Sequence, residues 1–173
     1  LEAEWKLNNK WRLFSGIDVT NLSRDGQRKR LVKMNMAGEL LEIPMEFEDK
    51  VWQNSYVNDY GVFAETRFIL NKKNIFNIGA RIDHIVSESR DRDESFSELY
   101  PDNGKRNEQL FSGTVAYKHL LKENYSLELS YGRGARPANM EERYIAFFNI
   151  GRDPYEYVGN PNLKPEVNNQ FEV

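Results

Sequence analysis

The chain has 173 residues, enough for one domain or a slice of a larger one. Charged residues make up 29%; the absence of cysteine excludes a disulfide framework and thiolate metal sites, and the formal net charge of -3 argues against nucleic acid as the main partner. Mean hydropathy is -0.74, and no apolar run reaches about 18 residues, so a transmembrane helix is excluded; a spanning strand is not, since it needs only about 9–11 residues with every second one against lipid. The chain opens on Leu1 and carries no signal peptide, so both termini read as cut points.

Period-two alternation dominates from the start. Leu1, Ala3, Trp5 and Leu7 oppose Glu2, Glu4 and Lys6. After the polar turn Asn8-Asn9-Lys10, Trp11, Leu13, Ser15, Ile17 and Val19 oppose Arg12, Gly16, Asp18 and Thr20. Residues 22–54 read as a long link. In the next strand Tyr60, Val62, Ala64, Thr66, Phe68 and Leu70 oppose Gly61, Phe63, Glu65, Arg67 and Ile69. A one-residue slip would turn Glu65 and Arg67 onto the apolar side, and an Arg at a bilayer midplane costs about 2–4 kcal/mol, enough to hold a register.

A second short turn, residues 71–74, leads to Phe76, Ile78, Ala80, Ile82, His84 and Val86 against Asn77, Gly79, Arg81 and Asp83. Another long link, 88–107, follows. Then Phe111, Gly113, Val115, Tyr117, His119 and Leu121 oppose Ser112, Thr114, Ala116 and Lys118. A third short turn, Lys122-Glu123-Asn124, precedes Tyr125, Leu127, Leu129 and Tyr131, opposed by Ser126, Glu128, Ser130 and Gly132. A third long link, 134–163, ends in a proline-punctuated entry to a last alternating run, Val167–Val173. The two prolines and the bias on the residues before them set the chain extended there.

Alternation alone gives half-buried antiparallel sheet, whose apolar face suits a core or lipid and whose polar face suits solvent or a water-filled bore. The connections separate these cases. Short and long links alternate three times, the pattern of a membrane barrel with tight turns on one side and long loops on the other. Links of such length are uncommon in compact soluble domains. Rings fall near both ends: Trp5, Trp11, Phe76 and Tyr125 by the short turns, and Trp52, Tyr56, Tyr60, Phe111 and Tyr131 toward the long links, as two interfacial girdles would require.

Two motifs point further. Tyr125–Tyr131 runs into Gly132-Arg133-Gly134-Ala135-Arg136-Pro137 and on to Glu141 and Glu142. About twenty residues later comes Asn160-Pro161-Asn162-Leu163-Lys164-Pro165-Glu166. In order and spacing these resemble the Tyr-x-Arg-x-x-Arg-x-Pro strand end and the Asn-Pro-x-Leu-x-Pro-Glu element of TonB-dependent outer-membrane receptors. Gly79-Ala80-Arg81-Ile82-Asp83 is similar to the family's Gly-x-Arg-x-Asp strand, and Phe14–Asp18 resembles an earlier barrel strand.

The resemblance implies an all-β fold, an antiparallel transmembrane barrel of roughly 22 strands around a plug, with short periplasmic turns and long extracellular loops. Residues 1–173 would supply about seven strands, without the plug or the C-terminal strands. It implies a receptor in the bacterial outer membrane, in contact with lipid, that binds a scarce nutrient and imports it with energy from a TonB complex acting on the plug. The nutrient would be a metal–siderophore, as in iron uptake, a cobalamin, a metal complex or a glycan. No cofactor and no enzyme chemistry are implied. The family-motif residues carried over are Arg133, Arg136, Pro137, Asn160, Pro161, Leu163, Pro165 and Glu166.

Residue chemistry adds candidates. Arg133 and Arg136 suit carboxylate partners in the wall at a loop base, or an anionic ligand. Glu65, Arg67, Arg81, Asp83, Lys118 and Glu128 suit cross-strand pairing along a polar bore. Pro137 fits the first position of a short helix, with Glu141 and Glu142 in its first turns. Tyr144, Phe147, Arg152, Tyr155 and Tyr157 place rings and a cation in one long loop, as a ligand-contact surface or as loop packing. Met34-Asn35-Met36 with Met45 offers thioethers to a soft metal, or loop packing. Asp91, Asp93, Glu94 and Glu98 lack the turn glycine of a calcium loop. His84 and His119 end apolar faces, where an amphipathic ring suits an interface. No nucleophile–base set, phosphate loop or zinc motif is present. The alternative fold is a soluble extracellular β-sandwich that binds carbohydrate or protein.

Overall fold

The computed structural model describes residues 1–173 apart from 93, 103, 147 and 150–155. Its main feature is one antiparallel sheet of seven strands in the order β1-β2-β3-β4-β5-β6-β9, open at both edges. The strands are β1 (Glu2–Lys6), β2 (Trp11–Met34), β3 (Leu40–Asn71), β4 (Asn74–Ser89), β5 (Arg106–Lys122), β6 (Tyr125–Arg136) and β9 (Glu166–Glu172). Two short helices, α1 (Glu94–Leu99) and α2 (Met140–Tyr144), and a two-stranded β7 (Phe148–Asn149) and β8 (Glu156–Tyr157) ribbon lie in the connections. The partial barrel replaces the soluble sandwich, because no second sheet packs on either face of the seven strands among the described residues.

One boundary differs sharply from the expectation. Residues 22–54 are not an irregular loop: β2 and β3 continue as a hairpin, paired from Leu22↔Val57 to Met34↔Leu40. Toward its tip the apolar alternation fades because both faces meet water, and cross-strand charge takes over. Asp49 accepts hydrogen bonds from Arg30 and Arg28, which hold its carboxyl below the usual range, and Lys29 lies 3.3 Å from Glu46. Bulges near Gly26 and Val32 twist this extension.

Along the wall, the pairing aligns apolar with apolar. Ile17 pairs with Val62, Val62 with Ile82, and Ile82 with Phe111. At the short-turn end Trp11 meets Phe68 edge to face at 6.0 Å, and Phe76 meets Tyr117 at 4.9 Å. The opposite face carries charge: Arg81 donates to Asp18 at 2.6 and 3.0 Å and pairs with Asp83, and Lys118 lies 3.3 Å from Glu128.

These pairing rows slant. Trp11 adjoins its turn; Phe68 and Phe76 stand two or three residues from theirs; Tyr117 stands five before Lys122. That stagger is the shear a tilted barrel wall needs. With a tilt near 40°, each residue climbs about 2.6 Å and each step to the next strand lifts a row about 3 Å. Trp11 and Tyr60 then stand about 24 Å apart in height, matching an apolar band about 25 Å tall. The same arithmetic brings Tyr60, Phe111 and Arg133 to about one level. His84 tilts against Tyr60 at 6.5 Å, and His119 Nδ1 lies 2.7 Å from Asn74 Oδ1, so each histidine closes one end of the apolar face.

The girdle expectation needs correction at Trp52. Its ring lies under the Arg24 guanidinium, 4.7 Å away, and packs on a buried cluster of Phe96, Met140 and Tyr144. It serves loop packing above the band, not the lipid interface, because the chain irregularities at Gly26 and Asn54 (φ 45°) turn this segment.

Candidate functional site

The buried core does not run along the wall. It sits at the long-loop end, where α1 and α2 fold over the charged, inner face. Ile85, Phe96, Leu110, Ala138, Met140, Tyr144 and Ile145 are its buried apolar members. Among the described residues, α1 and α2 therefore cover the long-loop end of the charged face.

α2 begins with a capping box. Asn139 Oδ1 accepts from the Glu142 backbone N–H at 2.8 Å, and the Glu142 carboxylate accepts from the Asn139 N–H at 2.7 Å. Pro137 therefore stands two residues before the cap and not at the first helical position, while Glu141 and Glu142 do fall in the first turn. The Glu142 carboxylate has a second partner. Arg136 grips it with two parallel bonds of 3.0 Å, and Arg136 Nε donates to Glu166 at 3.1 Å. The Arg136 guanidinium, together with the Asn139 N–H, holds the Glu142 carboxyl below its usual range, and the Glu142 and Glu166 carboxylates raise Arg136 further. Both motif segments thus meet at one bidentate clamp.

Beneath it, Arg143 is fully buried. It donates to Ala138 O at 3.0 Å, Ser87 Oγ at 3.3 Å and Glu108 Oε2 at 2.6 Å. The Tyr144 hydroxyl lies 2.8 Å from Ser87 Oγ and donates to Gly104 O at 2.6 Å; burial raises its phenol pKa.

The second motif closes on the same helix. Gly159 N–H donates to Ile145 O and Asn160 N–H to Glu142 O, both at 2.7 Å, capping the carbonyls at the helix end. A Cβ on Gly159 would lie 2.6–2.7 Å from the Arg143 backbone, so only glycine permits this approach. Asn160 Oδ1 turns the chain by accepting from Asn162 N–H at 2.9 Å, and buried Pro161 accepts from Arg106 Nε at 2.8 Å. Pro165 then delivers Glu166 into β9.

Not every predicted residue joins this knot. Arg133 faces the apolar side, donating to Phe111 O with its guanidinium 5.9 Å above the Phe111 ring; it is a cation at the outer edge of the band, and among the described residues it meets no carboxylate. Leu163 and Tyr157 border a cleft of about 360 Å³ with Glu141, Ile145 and Val158. Tyr144 is wholly inside the loop core. Phe147, Arg152 and Tyr155 lie outside the described residues, as does Asp93 of the acidic cluster. Arg143, Arg106, Ser87 and Glu108 were missed. Only Arg143 had a readable signal, since Asn139-x-x-Glu142 announces a helix start just before it. Among the described residues, no three His, Cys, Asp or Glu side chains are grouped to hold a metal ion.

The sequence model of the family described as TonB dependent receptor-like, beta-barrel, matches residues 1–173. The chain belongs to this family. Its members reside in the bacterial outer membrane, so the short turns are periplasmic and the long connections extracellular. Among solved structures the chain is similar to the copper transporter OprC, with a TM-score of 0.62 at 19% identity, covering 82% of this chain and 21% of that one. At that identity the likeness speaks for the fold, and the chain spans about a fifth of that protein's length. No curated protein matches it.

Proposed function

We propose that this chain is the wall and loop-bearing part of an energised nutrient importer. The parent protein binds a small nutrient at its outer face and passes it through the bore when a TonB complex moves the plug. The observation that carries this reading is the two-faced wall. Its apolar face, about 24 Å tall, suits lipid, and its charged face, over which α1 and α2 fold, suits an aqueous passage. Lipid, the plug, the TonB complex and the nutrient are the partners. The nutrient class extends over metal–siderophore, cobalamin, metal complex and glycan; the fold relative's name speaks only for that protein. The protein transfers substrate without covalent chemistry.

The test uses the intact parent in its outer membrane. Spin labels at Val62 and Ile78 should report oxygen-rich, water-poor surroundings, and labels at Glu65 and Arg81 should report water. A deletion strain should lose energy-dependent accumulation of one nutrient class and recover it with the intact gene. Wet labels on the apolar face, or unchanged accumulation of every class, would refute the reading.

A further inference from the structure

We propose that the periplasmic end of the bore face is a docking surface for an acidic segment of the parent's plug, anchored by a row of like charges. Lys6 pairs with Arg12, and Arg12 with Arg67, in unbroken register. Three cations thus stand directly opposite one another on three adjacent strands. Each is the sequence neighbour of a ring on the apolar face, Trp5, Trp11 or Phe68, so all three belong to the bore side. Like charges in directly opposed positions destabilise a sheet. A slip of one residue would not relieve them, because it would turn them toward lipid.

Nor does the wall relieve them. Elsewhere on this face Arg81 pairs with Asp18 and Asp83, and Lys118 with Glu128, whereas Lys6, Arg12 and Arg67 meet no carboxylate within 4.0 Å among the described residues. Glu4 and Glu65 flank Phe14 in the next row and stand apart from the cations in the same way. Arg12 and Arg67 together border two clefts. One of about 380 Å³ lies between them and Glu4, Phe14, Glu65 and Gly79. The other, of about 170 Å³, lies at the turn, where Lys10 adds a fourth cation.

The pattern selects the partner. A small anion gains from the cations but is repelled by the acids beside them. A folded surface that sets carboxylates against the cationic row, and a basic group against Glu4 and Glu65, satisfies both rows at once. Inside a barrel that surface is the plug, so the proposal rests on the uptake reading. It adds a consequence for the transport cycle. When the plug is pulled away, the row faces itself again across water, and the wall favours reseating.

The experiment uses the intact receptor, plug included. A zero-length carbodiimide joins an amine to a carboxylate only in direct contact. Lys6 supplies one amine, and the Arg12→Lys and Arg67→Lys variants supply the others while keeping every charge. Mass spectrometry should map cross-links from all three positions to Asp or Glu of the plug. In the triple variant Lys6→Gln, Arg12→Gln, Arg67→Gln, plug amides against this wall should lose about tenfold in exchange protection, with the wall strands unchanged. Raising salt to about 1 M should bring wild type close to that variant. Cross-links confined to Glu4 and Glu65 overturn the surface and make the row a wall-internal network. No cross-link to the plug, with protection unchanged, overturns it and leaves a solvated row. Cross-links to the plug of a receptor that accumulates no nutrient sustain the surface and sink the uptake reading; accumulation with the row linked only within the wall does the reverse.

Discussion

Removing Arg143 tests whether the loop core is a designed anchor. Its side chain is 1% exposed and faces Glu108, itself 15% exposed, at 2.6 Å. Arg143→Met keeps the stem's packing but removes the charge and three donated hydrogen bonds. Glu108 would remain as a mostly buried, uncompensated carboxylate, and Ser87 and Ala138 would lose a donor. Breaking a buried pair from one side costs about 3–5 kcal/mol. The cost should appear as local opening of α2 rather than loss of the barrel, whose strands do not depend on this pair. Hydrogen exchange on the intact receptor reads it directly at the Gly159 and Asn160 amides, which bond Ile145 and Glu142. Their protection should fall by roughly 10²–10⁴-fold. The double variant Arg143→Met with Glu108→Leu should recover most of the loss, because an apolar replacement of a whole buried pair is often near neutral. Single-variant protection within about threefold of wild type, or no recovery in the double variant, would refute the reasoning.

Three further outcomes follow from the same geometry. Gly159→Ala should loosen the second motif from α2 by about 1–3 kcal/mol, since the new methyl meets backbone, and limited proteolysis across 134–163 should become faster. Glu142→Gln should reduce α2 protection at neutral pH. Because the folded Glu142 carboxyl lies below its ordinary value of about 4.3, the wild-type advantage should be full above that pH and vanish as pH falls through the lower folded value; exchange measured from pH 7 to 3 checks it. Ile78→Arg places a guanidinium near the band's middle at about 2–4 kcal/mol, and the heat-modifiable, folded receptor recovered from outer membranes should drop relative to Ile78→Leu.

The wall was legible because two effects act on every second residue. Charge is expelled from one face, and a slip of one residue moves Glu65 and Arg67 together. That is why the strand centres and all three short turns stood out in the sequence. The outer part of the hairpin beyond Leu22 was not legible, because toward its tip the strands are wet on both faces. Its pairing is written in opposed charges, Arg28 and Arg30 against Asp49, which no periodicity reports. The loop core was hidden for a different reason. Its members come from distant segments: Ser87 from the end of β4, Phe96 from α1, Glu108 from the start of β5, Arg143 from α2 and Pro161 from the turn before β9.

The two motifs were legible as strings but not as a single device. Arg136 reads as a wall cation and Glu166 as a strand-entry acid. Only the fold shows that both close on Glu142, which is also the third residue of a helix cap. The proline and glycine spacing follows from this joint. Pro161 must be buried against Arg106, and Gly159 must touch the Arg143 backbone, before Pro165 can send the chain into β9 at the register Arg136↔Glu166. A one-residue insertion between Gly159 and Glu166 would either break the clamp or turn Val167 and Phe171 toward the bore. The rigid turn therefore sets the register of the next wall strand and holds the loop over the mouth at once, which ties barrel closure to loop position.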